Sequence, residues 1–514
     1  VKRVVILIVG LGFVIRLFCF QYTAIINPDG PLYIHQARAI YYGIKDAVIG
    51  HHQLSYLSNY PIFIALSYTI VKDWLIAAKS VSLFFGTLTL IPLYFLLKRF
   101  FEHKIGVLVL LIFAVIPLFV ERSADVVKGP VFWFFSVLGL YLFVSQLNKR
   151  NHLYLLLSSL SFLMATWARV EAILFIIVCC FYILAARQEM KFEKFIIFII
   201  PIVVLIMFFA ISGLISNTPN LLRYRKIMFF SGYENLRTGL EILKNQPLGY
   251  VRPCYIDWVR HLVWFIALGI LFISIVKTFF YPFFLVFVIG LVGIRERVNK
   301  DKRIAYFAFI AIGALVPLYM YILGKQTMPT RYLAVFVLPS FIFIGFGLEK
   351  IISFLRSRFN LTESVTLSIL CLLILACSLP KNLKPRETDK LVFKEIGEFI
   401  ADREGNDREI LVATSKHSIP WISFYANLNY EGAPRPKQNY DLENMIGKNY
   451  KTFVETITKR RINYVLWEEK HWPPQGADYL RIGQPTDFVK IGTWSHPDTG
   501  KLMLFEVKHQ EAST

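Results

Sequence analysis

Apolar runs of roughly 17–25 residues, the length that crosses a bilayer as a helix, recur along residues 1–380 and then stop. A chain built this way must satisfy its backbone N–H and C=O groups internally, because hydrocarbon offers no water to pair with them. The runs lie at 4–22, 75–97, 105–120, 130–146, 153–168, 170–186, 195–215, 279–294, 304–323, 331–348 and 362–379. They predict a multispan α-helical membrane domain of about 11 transmembrane helices plus interfacial helices. The 56% hydrophobic content and mean hydropathy of +0.52 agree with that class. The change of composition between Pro380 and Pro385 predicts a boundary, with a membrane domain over 1–384 and a soluble domain over 385–514.

The net charge of +21 is unevenly placed. Residues 1–384 hold 38 Lys and Arg against 16 Asp and Glu, and residues 385–514 hold 18 against 19. The positive excess therefore belongs to the membrane half, whereas a nucleic-acid binder would carry it on the soluble half. Dense basic clusters at Lys98-Arg99 with Lys104, Lys149-Arg150, Arg187 to Lys194, Arg295 to Arg303 and Lys350 to Arg358 alternate along the spans and mark the cytoplasmic side. Parity then requires a cytoplasmic N-terminus and an extracytoplasmic C-terminal domain. It also requires that segments 60–72 and 258–277 do not cross completely. The outer side receives loop 21–74, the short loop 121–129, loop 216–278 and the soluble domain.

The C-terminal domain reads as small α/β: helices over 388–403, 417–427 and 450–461, strands over 409–413 and 463–467, and a closing hairpin of 487–494 with 501–507. No phosphate loop and no nucleophile elbow occur in it. The six cysteines have neither disulfide nor zinc spacing. The first run has no small-residue cleavage site and is expected to remain as an uncleaved span. No internal repeat of the kind found in many transporters is present.

Asp29, in Asn27-Pro-Asp-Gly-Pro-Leu-Tyr-Ile-His35, follows the first span by about one turn of chain. An acid held there by prolines and a glycine suits chemistry at the outer surface, although Asp before Gly-Pro is also a common helix cap. Asp29 with Tyr33 and Ala37 spaced behind it, and the late Arg331-Tyr332 pair followed by Pro339, together resemble the GT-C membrane glycosyltransferases. Within that superfamily the chain is most similar to protein O-mannosyltransferases and to the aminoarabinose transferases of lipid A. The resemblance covers about residues 1–350. It departs at Gly30, where the protein mannosyltransferases have Glu after the first-loop Asp.

The resemblance implies transfer of a hexosyl or pentosyl group from a polyprenyl-phosphate carrier to a hydroxyl acceptor (glycan, lipid or protein) at the outer face, with inversion. It also implies a multi-pass protein of the bacterial inner membrane. Asp29 is then the candidate base and Asp125 a second catalytic acid that orients the acceptor or shares a metal. Arg331, Lys325, Arg169 and Lys128 are candidates for the donor phosphate. Tyr33, Tyr60, Glu171 and Tyr332 are candidates for substrate contact. Each has a plainer alternative: a cap or salt bridge for Asp125, a local pair with Glu171 for Arg169, headgroup anchoring for Arg331 and Lys325.

Arg16 and Lys79, near outer span ends, read as structural or snorkelling residues. The basic, aromatic loop with Arg223-Tyr-Arg-Lys226, Arg237 and Arg252 reads as an interfacial anchor. His51-His52 lacks a third ligand. No compact Asp/Glu/His set is evident, so no obligatory cofactor is expected, and a divalent metal stays open. A lipid or polysaccharide transporter (a flippase) would carry its polar residues at mid-span, and a non-catalytic membrane subunit would not need Asp29. The charges crowd the outer ends and loops, which favours the enzyme.

Overall fold

The computed structural model describes residues 2–48, 57–149, 151–185, 190–216, 238, 253–415, 418–434, 450–471 and 487–508. Seven helices among the described residues have the length and composition to cross a membrane. They are Lys2–Tyr22, Trp74–Leu97, Gly129–Leu147, His261–Phe279, Lys302–Lys325, Thr330–Phe359 and Glu363–Asn382. An eighth is possible by joining His103–Val115 to Pro117–Ser123, which meet at 56°. Pro117 explains that bend, because its ring drives Ile116 out of the helical region (φ −57°, ψ 124°) and removes one N–H from the ladder.

The pattern departs from the expected eleven: runs 153–168 and 170–186 fall in shorter apolar helices, His152–Ala168 and Val170–Ala185, and two further departures lie between 253 and 294. The segment expected to stay interfacial, 258–277, lies in a continuous 27-residue helix, Pro253–Phe279, whose apolar stretch is of crossing length. The run expected to cross at 279–294 is instead an 11-residue helix, Tyr281–Leu291, set off by a positive φ of 64° at Phe280. Arg260 and His261 do not stop the helix, since its crossing stretch begins at His261 itself.

The chain divides into two compact units. The first comprises residues 1–16, 84–122 and 128–383 and holds most of the long helices. Its helices approach closely where small residues permit. A Cβ on Gly290 would lie 1.8 Å from the Phe343 carbonyl oxygen, and one on Gly347 would lie 1.9 Å from that of Val286. Helices Tyr281–Leu291 and Ala334–Phe359 therefore touch backbone to backbone, as small residues allow in apolar surroundings where dispersion does the packing. In the same unit Arg16 is fully buried and donates Nη1 to the Gly12 and Ala114 carbonyls at 2.9 Å each. It is a structural residue there.

The second unit comprises residues 17–83, 123–127 and 384–514. It contains a four-stranded sheet of order β1-β2-β4-β3, with β1 Val412–Ala413, β2 Tyr464–Glu468, β3 Phe488–His496 and β4 Gly500–Val507. β1 and β2 run parallel, and the β3–β4 hairpin is antiparallel with a register shift between Lys490 and Gly492. Phe453 and Ile457 of helix Tyr450–Lys459 pack on Val465, Trp467, Phe488 and Phe505, as the helix and strand periods predict. β1 is shorter than its apolar run, because the Ile410 backbone is taken by Asn427, whose amide pairs with both its N–H and its C=O at 2.8 Å.

Candidate functional site

Two groups of the candidate residues form, one in each unit. In the second unit, Asn27-Pro-Asp-Gly30 closes as a turn, with the Gly30 N–H donated to the Asn27 carbonyl at 2.7 Å. Asp29 is the residue before helix Gly30–Tyr41, with Pro31 in the first turn. Its carboxylate makes no capping bond to that helix, so the plainer role foreseen for it is not taken. Its backbone N–H goes instead to the Asn27 side-chain oxygen at 3.0 Å.

Asp125 is buried, and its Oδ1 accepts the backbone N–H of Asn27 at 2.9 Å and of Val126 at 2.7 Å. Asp125 thus orders the turn that ends in Asp29. Lys79, whose Nζ donates to the Phe20 carbonyl at 2.7 Å, is an electrostatic partner of Asp125. Gly30 lies against the same segment: a Cβ there would come 3.1 Å from Val126 Cβ and 3.2 Å from Ile26 Cδ1. That crowding is a physical reason for Gly at a position where the protein mannosyltransferases carry Glu.

Tyr33 is half-buried and meets Tyr60 edge to face at 5.5 Å. Tyr60 is fully buried, with its hydroxyl bonded to the Ala78 carbonyl at 3.0 Å and to Ser82 at 2.9 Å. Ser82 in turn donates to the Val127 carbonyl at 3.1 Å. Tyr60 therefore braces the Asp125 segment, a correction to its expected contact with substrate, since a hydroxyl so enclosed presents nothing to a ligand.

In the first unit, the other candidates gather around Tyr332. Arg169 is extended at the break after helix His152–Ala168 (φ −149°) and is 5% exposed. Its Nη2 meets Glu171 Oε1 at 2.7 Å, and its guanidinium lies 5.8 Å from the Phe132 ring and 4.9 Å from the Tyr332 ring. The Arg331 guanidinium lies 5.5 Å from the same Tyr332 ring, and the Tyr321 ring meets it tilted, with centroids 4.8 Å apart. Lys128 is an electrostatic partner of Glu171. Arg169 and Glu171 form the local pair that was the alternative reading. Arg331 is exposed at this cluster and Lys128 is half-buried. Lys325 is exposed in the last turn of helix Lys302–Lys325 and is outside the Tyr332 contacts described. His51-His52, Arg223, Arg225, Lys226, Arg237 and Arg252 lie outside the described residues.

Among the described residues, one set of three metal-ligating side chains has its ligand atoms within 4.8 Å of one another: Asp389, His496 and Asp498. His496 Nδ1 accepts the backbone N–H groups of Asp498 and Thr499 at 3.2 Å each, which puts the ring proton on Nε2. A metal would have to displace that proton or those bonds, so the tautomer opposes a cation here.

Asn27, Lys79 and Arg38 were not singled out as functional from sequence. Asn27 carried a signal, the Asn-Pro-Asp-Gly turn, and so did Arg38, a cation on the apolar stripe Ile34, Ala37, Tyr41.

The fold has counterparts among solved structures. ArnT from Cupriavidus metallidurans superposes in its apo state with a TM-score of 0.60 at 11% identity, covering 98% of each chain. The same protein bound to undecaprenyl phosphate gives 0.58 at 12% identity, covering 99% of this chain and 98% of that one. The oligosaccharyltransferase of Archaeoglobus fulgidus, in complex with Zn and sulfate, gives 0.55 at 13% identity, covering 91% of this chain and 68% of its own. This chain has a GT-C fold. The family model of dolichyl-phosphate-mannose-protein mannosyltransferases matches residues 58–212. No curated protein matches by sequence. Asp29 and Arg331 both fall outside 58–212.

Proposed function

We propose that the chain is a membrane glycosyltransferase that moves a sugar from a polyprenyl-phosphate carrier to a hydroxyl acceptor at the outer face of the bacterial inner membrane, with inversion. The observation that carries this reading is the pairing of Asp125 with the turn that ends in Asp29, an acid at the start of a helix that it does not cap. The fold shared with a transferase bound to undecaprenyl phosphate supports it. The alternating basic clusters support a C-terminal domain on the extracytoplasmic side.

In the reaction, the acceptor oxygen attacks the anomeric carbon as the bond from that carbon to the carrier phosphate breaks. Asp29 takes the acceptor proton, and polyprenyl phosphate leaves with the bonding pair. Negative charge grows on the departing phosphate, and Arg331, Lys325 and Lys128 are the cations proposed to offset it. Arg169 holds the Tyr332 face through its stacking contact and is itself held by Glu171. The archaeal neighbour's complex with Zn raises a metal, and two aspartate carboxylates suit a hard divalent cation. Asp29 and Asp125 would be its ligands, and the cation would supply further positive charge beside the donor.

The test is incubation of purified protein with defined polyprenyl-phosphate hexoses and pentoses, with product read by mass, in the presence and absence of a chelator. Unchanged transfer by a well-folded Asp29→Asn protein would refute the assigned base, and absence of transfer with any such donor would refute the reaction class.

A further inference from the structure

Helix Gly30–Tyr41, which starts at Asp29, is gripped from the C-terminal part of its own compact unit. Arg38 is 2% exposed, and its guanidinium is filled with backbone carbonyls. Nε donates to Gly432 at 2.7 Å, Nη1 to Asn427 at 3.0 Å, and Nη2 to Tyr430. On the same helix, His35 Nδ1 pairs with the Pro434 carbonyl at 2.9 Å. The second grip is on the other side of Asp29. Trp421 donates Nε1–H to the Ile26 carbonyl at 2.7 Å, three residues before the acid, and the Tyr425 hydroxyl pairs with the Ile26 backbone. Asn427 is itself fastened to Ile410 and Ser423 through its side chain, so the gripping segment is braced from within its own domain.

Burying a guanidinium is unfavourable, and an apolar side chain would pack such a helix at less cost. What the planar fork adds is direction: donors fixed in one plane lock the roll of the helix as well as its position. Asp29 is thereby held from both flanks, at Ile26 and at Arg38, in addition to Asn27. From this geometry we infer that segment 421–434 is a positioning element for the base, with Arg38 and Trp421 as its positioning residues. The inference rests on the proposed role of Asp29. A base must come within about 2.6–3.2 Å of the proton it removes, and a displacement of about 1 Å costs on the order of 100-fold in rate.

The experiment uses the full chain, wild type against Trp421→Phe and Arg38→Lys, with steady-state transfer from the undecaprenyl-phosphate sugar that the wild type uses. Amide hydrogen exchange over residues 24–41 is measured in parallel. Trp421→Phe removes one N–H and keeps the aromatic packing, so it reports even where Arg38 variants fail to fold. The expected result is a kcat lower by about ten-fold or more with the KM for donor nearly unchanged, together with faster exchange over 24–41. Arg38→Lys, which keeps the charge and loses the fork, behaves the same way. Wild-type kcat in Trp421→Phe, or a fall in kcat with unaltered exchange, overturns the inference and leaves the glycosyltransferase reading standing. A wild-type chain that transfers no sugar overturns both.

Discussion

Asp125 accepts the backbone N–H of Asn27 at 2.9 Å although 98 positions of sequence separate them. Asn27 in turn accepts the N–H of Asp29 at 3.0 Å, so the two acids are joined through one turn residue. Asn27→Ala removes that link and leaves both carboxylates in place. Its expected effect is a fall in kcat of about ten-fold with little change in KM, whereas Asp29→Asn loses about 10²–10⁴-fold as a general base should. Initial rates at varied donor concentration, with the melting temperature as control, check both.

A Cβ on Gly30 would lie a tight 3.1 Å from Val126 Cβ. Gly30→Ala is expected to push the Asp125 segment by a few tenths of an ångström and to destabilise by about 1–3 kcal/mol, as overpacking does. Gly30→Glu, which restores the mannosyltransferase pair in name, is expected to be worse than Gly30→Ala in both stability and rate. Thermal melts and transfer assays on the two variants decide the order.

Arg331 is exposed and Arg169 is buried, so their removal should differ in kind. Arg331→Ala is expected to leave stability within about 0.5 kcal/mol and to weaken use of the charged carrier. Arg169→Ala strips Glu171 of its ion-pair partner and is expected to lower the melting temperature as well, because a half-buried carboxylate loses its hydrogen-bonded countercharge. Donor affinity measured by titration, alongside melting, separates the two.

Gly347 meets the Val286 carbonyl oxygen where any Cβ would overlap it. Gly347→Leu is expected to separate helices Tyr281–Leu291 and Ala334–Phe359 and to lower stability by more than the typical 1–3 kcal/mol of a small overpacking. A melting temperature within a degree of wild type would show that these backbones do not touch.

Glu404 provides a pH dependence in the C-terminal domain. Burial alone would raise its carboxyl, but the Tyr464 hydroxyl and the Arg408 and Arg403 guanidinium groups outweigh burial and hold it below the usual glutamate range. A depressed carboxyl contributes stability above its unfolded pKa, and that contribution is lost as pH falls through the folded value. The stability difference between wild type and Glu404→Gln is therefore expected to be full at neutral pH, to begin to fall near the unfolded glutamate value of about 4.3, and to be lost as pH drops through the lower folded value. Melting curves of both proteins across that range are the check.

Much of the fold was legible because its signals are local. Run length announced most of the long helices, and alternation announced the Phe488–His496 and Gly500–Val507 hairpin. The same locality explains the misreading of 258–294. Both halves are apolar, and although the expected division at 277–279 lies beside the observed break at Phe280, nothing in the period of the residues says which half has the length to cross. Asp29 and Asp125 stood out as acids in short outer loops, yet Tyr60 looked much like Tyr33 until burial separated them.

By itself the sequence determined that this chain is rich in long apolar helices and carries its strands near the C-terminus, since apolar length and alternation act over a few turns of chain. Tertiary structure alone decided that Asn27 would meet Asp125, that Arg38 would close on the carbonyls of 427–432, and that Arg169 would face Tyr332. Those contacts join segments from 98 to 394 positions apart. Their partners are chiefly backbone carbonyls and N–H groups, which every residue carries alike, so no side-chain pattern could have named them.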